Sequence, residues 1–161
     1  MSATKFQKQI TNPFLFRLFL LKKLPLGFIA GLNITELSNE KAVVTVKYGW
    51  LTTNPFRSMY FACLSMAAEM STGVMVMNGI YDSTPAVSML IVKNTASYHK
   101  KAVGKITFIC TDGKHIQNMI EKAKQTNDSV SVDTTSIGRN EQGDVVAEFV
   151  FTWSMKVKSR A

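Results

Sequence analysis

Between Ser58 and Tyr81 the chain carries one charged residue, Glu69, set among Ala, Met, Leu, Val and small hydroxyl side chains. Burying an unpaired carboxylate is costly, and the usual responses are a raised pKa or a close cation. A carboxylate shifted in this way can take a proton from water or attack an acyl carbon itself. Such groups concentrate at functional sites. Two plainer roles also fit Glu69: an ion pair with a lysine or arginine, or a position at a dimer edge.

A helix must position this carboxylate. The segment has few β-branched residues in its first half. Ser58 is a candidate N-cap, and Asn78-Gly79 is a stop signal. Ser58, Ala62, Ser65, Glu69 and Thr72 recur at steps of four and three, so they share one face and could line a slot. Met59, Cys63, Met66, Met70, Val74 and Met77 form a second stripe, expected in the core. The softness of methionine would also suit an adaptable acyl tunnel. The segment is long enough to span a bilayer, but a mid-span carboxylate costs about 3 kcal/mol there. Stable membrane insertion is therefore not expected.

The elements around this helix read as β-β-α-β-β-α-β-β after a leading helix. Phe28 to Leu37 and Ala42 to Tyr48 form a hairpin across Ser38-Asn39-Glu40. Val87 to Val92 is nearly all apolar, as in a central strand. Lys105 to Thr111 alternates. Lys114 to Gln125 is a polar helix buried along Ile116, Met119, Ile120 and Ala123. Ser129 to Ile137 and Val145 to Met155 form a second hairpin. This order indicates an α+β domain over residues 27–161. Residues 1–26 form an amphipathic helix packed on it, with Phe14, Leu18 and Leu21 as its stripe. Arg17, Lys22 and Lys23 argue against a signal peptide.

The 161 residues fit one domain, and 46% hydrophobic content excludes disorder. A net charge of +8 favours an anionic partner. No basic-aromatic motif supports nucleic acid. Cys63 and Cys110 are read as small core residues, too few for a metal site, and point to a reduced, cytoplasmic setting. No nucleophile elbow marks a serine or cysteine hydrolase. Neither His99 nor His115 is placed for hydratase chemistry.

Asn54 is followed fifteen residues later by Glu69. With the element order, this spacing resembles hotdog-fold thioesterases, especially the phenylacetyl-CoA thioesterase branch. The stretch Asn54-Pro-Phe-Arg-Ser-Met-Tyr-Phe-Ala is also similar to a less-characterised bacterial group of thioesterase-like hotdog proteins. The resemblance covers roughly Gly27 to Val157. It implies a curled antiparallel sheet around the long helix, a homodimer or dimer of dimers with sites built across it, and hydrolysis of an acyl thioester such as acyl-CoA without a cofactor or metal. In that branch a His-Gly-Gly opens the helix; Tyr60, Phe61 and Ala62 stand here. The resemblance gives the Phe61 N–H the role of oxyanion donor, Asn54 that of orienting water or thioester, and Ser88 a place near the catalytic water. Ser58, Tyr60 and Ser65 would line the slot. Arg57, Lys100 and Lys101 are candidates for the CoA phosphates. The missing His-Gly-Gly favours the alternative, a non-catalytic acyl-CoA- or fatty-acyl-binding domain.

Overall fold

The computed structural model describes residues 4–158. The alternating segments fold as six antiparallel strands: β1 (Asn33–Leu37), β2 (Ala42–Lys47), β3 (Val87–Tyr98), β4 (Lys105–Cys110), β5 (Val130–Arg139) and β6 (Val145–Val157). They form one sheet in the order β1-β2-β4-β5-β6-β3. On its inner face Val44, Phe108, Phe149, Phe151 and Met155 are buried. That layer packs on α4 (Phe61–Ile80), which is apolar nearly all round, as a buried helix must be. Two side-chain hydrogen bonds bridge helix and sheet: Ser71 Oγ lies 2.7 Å from Ser136 Oγ, and Trp153 Nε1 donates to Thr72 Oγ1 at 3.1 Å. Cys63 and Cys110 are buried and free.

α5 (Gly113–Thr126) packs with Ile116, Ile120 and Ala123 inward, against α4 and the β5–β6 hairpin. Its first residue touches the β1–β2 turn so closely that a Cβ at Gly113 would run into the Asn39 carbonyl oxygen and the Glu40 Cα. Both obstacles are backbone and cannot rotate away. Gly113→Ala is therefore expected to lower unfolding free energy by about 1–3 kcal/mol or more, measured by denaturant titration.

Three expectations need correction. The leading helix is three helices: α1 (Lys5–Ile10), α2 (Pro13–Lys23) and α3 (Pro25–Ile29). α3 also takes Phe28 out of the first strand, which starts at Asn33. On α2 the buried residues are Phe16 and Leu20, 1% and 0% exposed, whereas Phe14, Leu18 and Leu21 are 76%, 41% and 53% exposed. The helix has two apolar faces, and the stripe expected inward faces out. Second, the run Val87 to Val92 lies in an edge strand, not a central one. Among the described residues β3 pairs only with β6, through a bulge between Ile91 and Lys93. Asn94 and Ala96 stand opposite the buried Phe151 and Phe149, so they share the inner face, yet both are exposed. Third, α4 begins at Phe61 with Tyr60 as its N-cap, so Ser58 is not the cap.

Candidate functional site

Glu69 faces the gap between the two ends of the curled sheet. Ile34 of β1 and Met89 of β3 stand on its sides, and Phe16, Phe19 and Lys23 of α2 close it over, leaving a cleft of about 200 Å3. One turn on, Gly73 makes the space: a Cβ there would lie 2.9 Å from Glu69 Oε1 and 3.1 Å from the Trp153 ring. The carboxylate thus fits beside the indole only because position 73 has no side chain. Thr72 Oγ1, which accepts from Trp153 Nε1, donates to the Glu69 carbonyl oxygen at 3.0 Å. Burial pushes the Glu69 pKa above its ordinary value of 4.5. No ion pair reaches its carboxylate among the described residues.

Ile10, Phe16, Phe19 and Met77 wall this cleft and also a second cavity of about 330 Å3, which runs on between α1 and α2 to Phe6 and Tyr81. The two cavities are neighbours with these side chains between them, and both are mainly apolar. Their lining suits a hydrocarbon chain with a reacting group at the Glu69 end.

The N-terminus of α4 opens on a different cleft, of about 490 Å3, lined by Asn54, Ser58, Tyr60, Phe61, Lys100 and Lys101 among others. Tyr60 gives the first turn no side-chain cap, and the Phe61 N–H donates to no acceptor among the described residues. It remains available to an anion at the positive end of the helix. The two clefts share no lining residue. Phe61 and Glu69 are eight residues apart on one helix, about 12 Å at 1.5 Å per residue.

Asn54 organises its own loop. Its Oδ1 accepts from the Phe56 N–H at 2.9 Å and the Ser58 N–H at 3.3 Å, while Nδ2 donates to Ser58 Oγ and the Met59 carbonyl. Ser58 is buried in that turn, and Arg57 adopts a left-handed φ of 57°. Ser88 lies on the outer face of β3 and donates to the Lys156 carbonyl at 3.0 Å; its neighbour Met89 faces Glu69 instead. Arg57 and the half-buried Ser65 line neither cleft. Lys100 pairs with Asp144 at 2.9 Å, whereas Lys101 has no ion pair among the described residues. Sequence reasoning passed over Gly73 and Trp153 beside Glu69, Lys23 over its cleft, and Tyr98, which lines the cleft at Phe61. A glycine inside a twenty-residue helix is conspicuous, since it costs about 1 kcal/mol against alanine there. Trp153 arrives from the far end of the chain and carries no local signal.

No curated protein matches the chain. Among solved structures, a Pseudomonas aeruginosa protein described as a probable thioesterase superposes with a TM-score of 0.77 at 18% identity, over 93% of this chain and 99% of that one. A protein with unknown function from Chlorobaculum tepidum gives 0.76 at 16%, over 94% and 99%. A thioesterase from Haemophilus influenzae gives 0.64 at 13%, over 89% and 91%. These likenesses establish the hotdog fold. Residues 14–155 match the family model described as a domain of unknown function, DUF4442. With that match over most of its length, the chain is a hotdog-fold protein belonging to the DUF4442 family.

Proposed function

We propose that this protein hydrolyses acyl thioesters, and that each site is composite, joining Glu69 of one copy to the Phe61 N–H of a second. The carrying observation is Glu69: a carboxylate raised in pKa by burial, given room by Gly73, in an apolar cleft. The names of two solved relatives point the same way. The ~12 Å between Phe61 and Glu69 is too far for one thioester carbonyl to meet both groups within one chain. Edge-to-edge pairing of β3 with a second β3 would bring a second α4 near the Glu69 cleft and cover Asn94 and Ala96.

In the reaction, Glu69 removes a proton from water and the hydroxide adds to the carbonyl carbon. The Phe61 N–H holds the oxyanion. Collapse breaks the C–S bond, and the leaving thiolate takes the proton from Glu69, giving acid and thiol. Direct attack by Glu69 through an anhydride would yield the same products. Asn54 acts by shaping the loop that presents Phe61. Acyl-CoA is the substrate the basic mouth favours: Lys101, unpaired beside Phe61, would meet a CoA phosphate. Lys101→Ala is expected to raise KM for acyl-CoA about tenfold, the loss of one charge-assisted contact. It should leave a phosphate-free thioester unchanged, and added salt should separate the two substrates in the same way.

The direct test is an acyl-CoA panel with thiol-release detection and Glu69→Ala as the blank, alongside light scattering for mass. A monomer at micromolar concentration that still hydrolyses thioesters would overturn the composite site. One observation favours a second reading, an acyl-binding domain without catalysis: the Asn54 amide is taken up by its own loop. Tight acyl-CoA binding without turnover of any panel member would select it.

A further inference from the structure

The outward face of α2 is apolar and has no partner among the described residues. At 3.6 residues per turn, Phe14, Leu18 and Leu21 fall within about 60° of one another, opposite the buried Phe16 and Leu20. Leu26 and Ile29 of α3 are also exposed. Trp50, 87% exposed, and Leu51 lie beside Ile29 along a shallow cleft with Lys47. Monomeric surfaces rarely carry so many large exposed side chains together. Charge supplies a second, independent observation. Lys5, Lys8, Arg17 and Lys22 belong to this region, and the first acidic residue in the chain is Glu36. Arg17 stacks 4.3 Å over the Phe28 ring, so its charge is held on this surface.

Two occupants compete for the face. A second copy in a two-fold contact would lay the patch against itself. Cations would then meet cations in a drying interface with no acid from the region to offset them. An anionic bilayer satisfies both properties: apolar depth for Phe, Leu and Trp, and negative headgroups for the lysines. α2 is about 16 Å long, and among the described residues no helix is long and apolar enough to cross a membrane. We propose that the outer face of α2, with α3 and Trp50, docks in the headgroup plane of an anionic lipid bilayer. This inference stands whether or not Glu69 hydrolyses thioesters.

The test uses the full chain and large vesicles of phosphatidylcholine, with or without phosphatidylglycerol, read by flotation and tryptophan emission. The two tryptophans separate cleanly, since Trp153 is buried and Trp50 is not. The expected result is flotation with the anionic vesicles and a blue shift that disappears in Trp50→Phe. Affinity for phosphatidylcholine alone should be at least about tenfold lower, and salt should weaken the anionic binding. Phe14→Ser/Leu18→Ser/Leu21→Ser should lose at least about tenfold in partitioning. Lys22→Glu, which leaves the packing untouched, should lose about tenfold and carries the test if the triple variant fails to fold. Failure of the wild type to float, equal affinity for both vesicles, or undiminished binding by Lys22→Glu overturns the proposal. A wild type that stays off vesicles while the triple variant falls to half its mass in light scattering assigns the face to a second copy.

Discussion

Glu69→Gln is expected to lower kcat for thioester hydrolysis by at least about a hundredfold while the protein stays folded and keeps its mass. The amide matches the carboxylate in shape, so the space beside Gly73 and Trp153 is still filled. What is lost is the ability to hold a proton during attack. Stability should move the other way. The folded Glu69 binds its proton more readily than the unfolded one, so above the folded pKa the native state carries the cost of a buried charge. Gln removes that cost. The variant should therefore melt above wild type at neutral pH, and the gain should vanish as pH falls below 4.5, where both states of the wild type are protonated. In the wild type, activity should fall with acid through an inflection above the ordinary carboxylate value. A Glu69→Gln protein with near-normal turnover would remove this residue from the mechanism. A fall in melting temperature at neutral pH would instead identify it as a structural partner.

Phe61→Pro tests the other half of the site by deleting one N–H. Proline suits the first position of a helix, where the N–H has no intrahelical acceptor. The preceding Tyr60 already has φ −62° and ψ 132°, the extended geometry proline demands of its neighbour. The fold should persist while kcat falls about 10²- to 10³-fold, the usual cost of one oxyanion donor. Phe61→Ala, which keeps the N–H, controls for the ring. Mixing unfolded Glu69→Gln and Phe61→Pro chains and refolding them together should restore up to about a quarter of wild-type activity. Half the dimers would be mixed, and each mixed dimer has one of its two sites intact. No recovery on mixing, with both variants folded and dimeric, would mean that donor and base act within one chain.

Most of the fold was legible because period and punctuation agreed. The alternation of β6, from Val145 to Met155, marked a strand, and the composition of α4 marked a helix. The misreadings share a cause: an apolar side chain does not say what will cover it. Val87 to Val92 reads as a central strand because edge and centre differ in neighbours, not in residue type. α2 misled because it has two apolar faces, and the sequence ranks neither. At the candidate site, Glu69 stood out as a lone charge, whereas nothing in the sequence foretold that the Asn54 amide would hydrogen-bond within its own loop. Ser88 missed the cleft by one residue, which in a strand means the opposite face. Trp153 and Gly73 could not be paired from sequence, since only the β5–β6 register brings the indole over α4.

The polar contacts between α4 and the sheet add direction to what packing decides. Hydrophobic burial is non-directional, so the angle of an apolar helix about its axis rests on close packing, as at Gly73 against Trp153, and on hydrogen bonds. Ser71 against Ser136, and Thr72 against the Trp153 indole, are directional and have one angular solution. Each left unmade would strand a buried polar group at a cost of about 1–3 kcal/mol. They act as a keyway: the oil holds α4 in the protein, and the two hydroxyls set the compass bearing at which Glu69 leaves it.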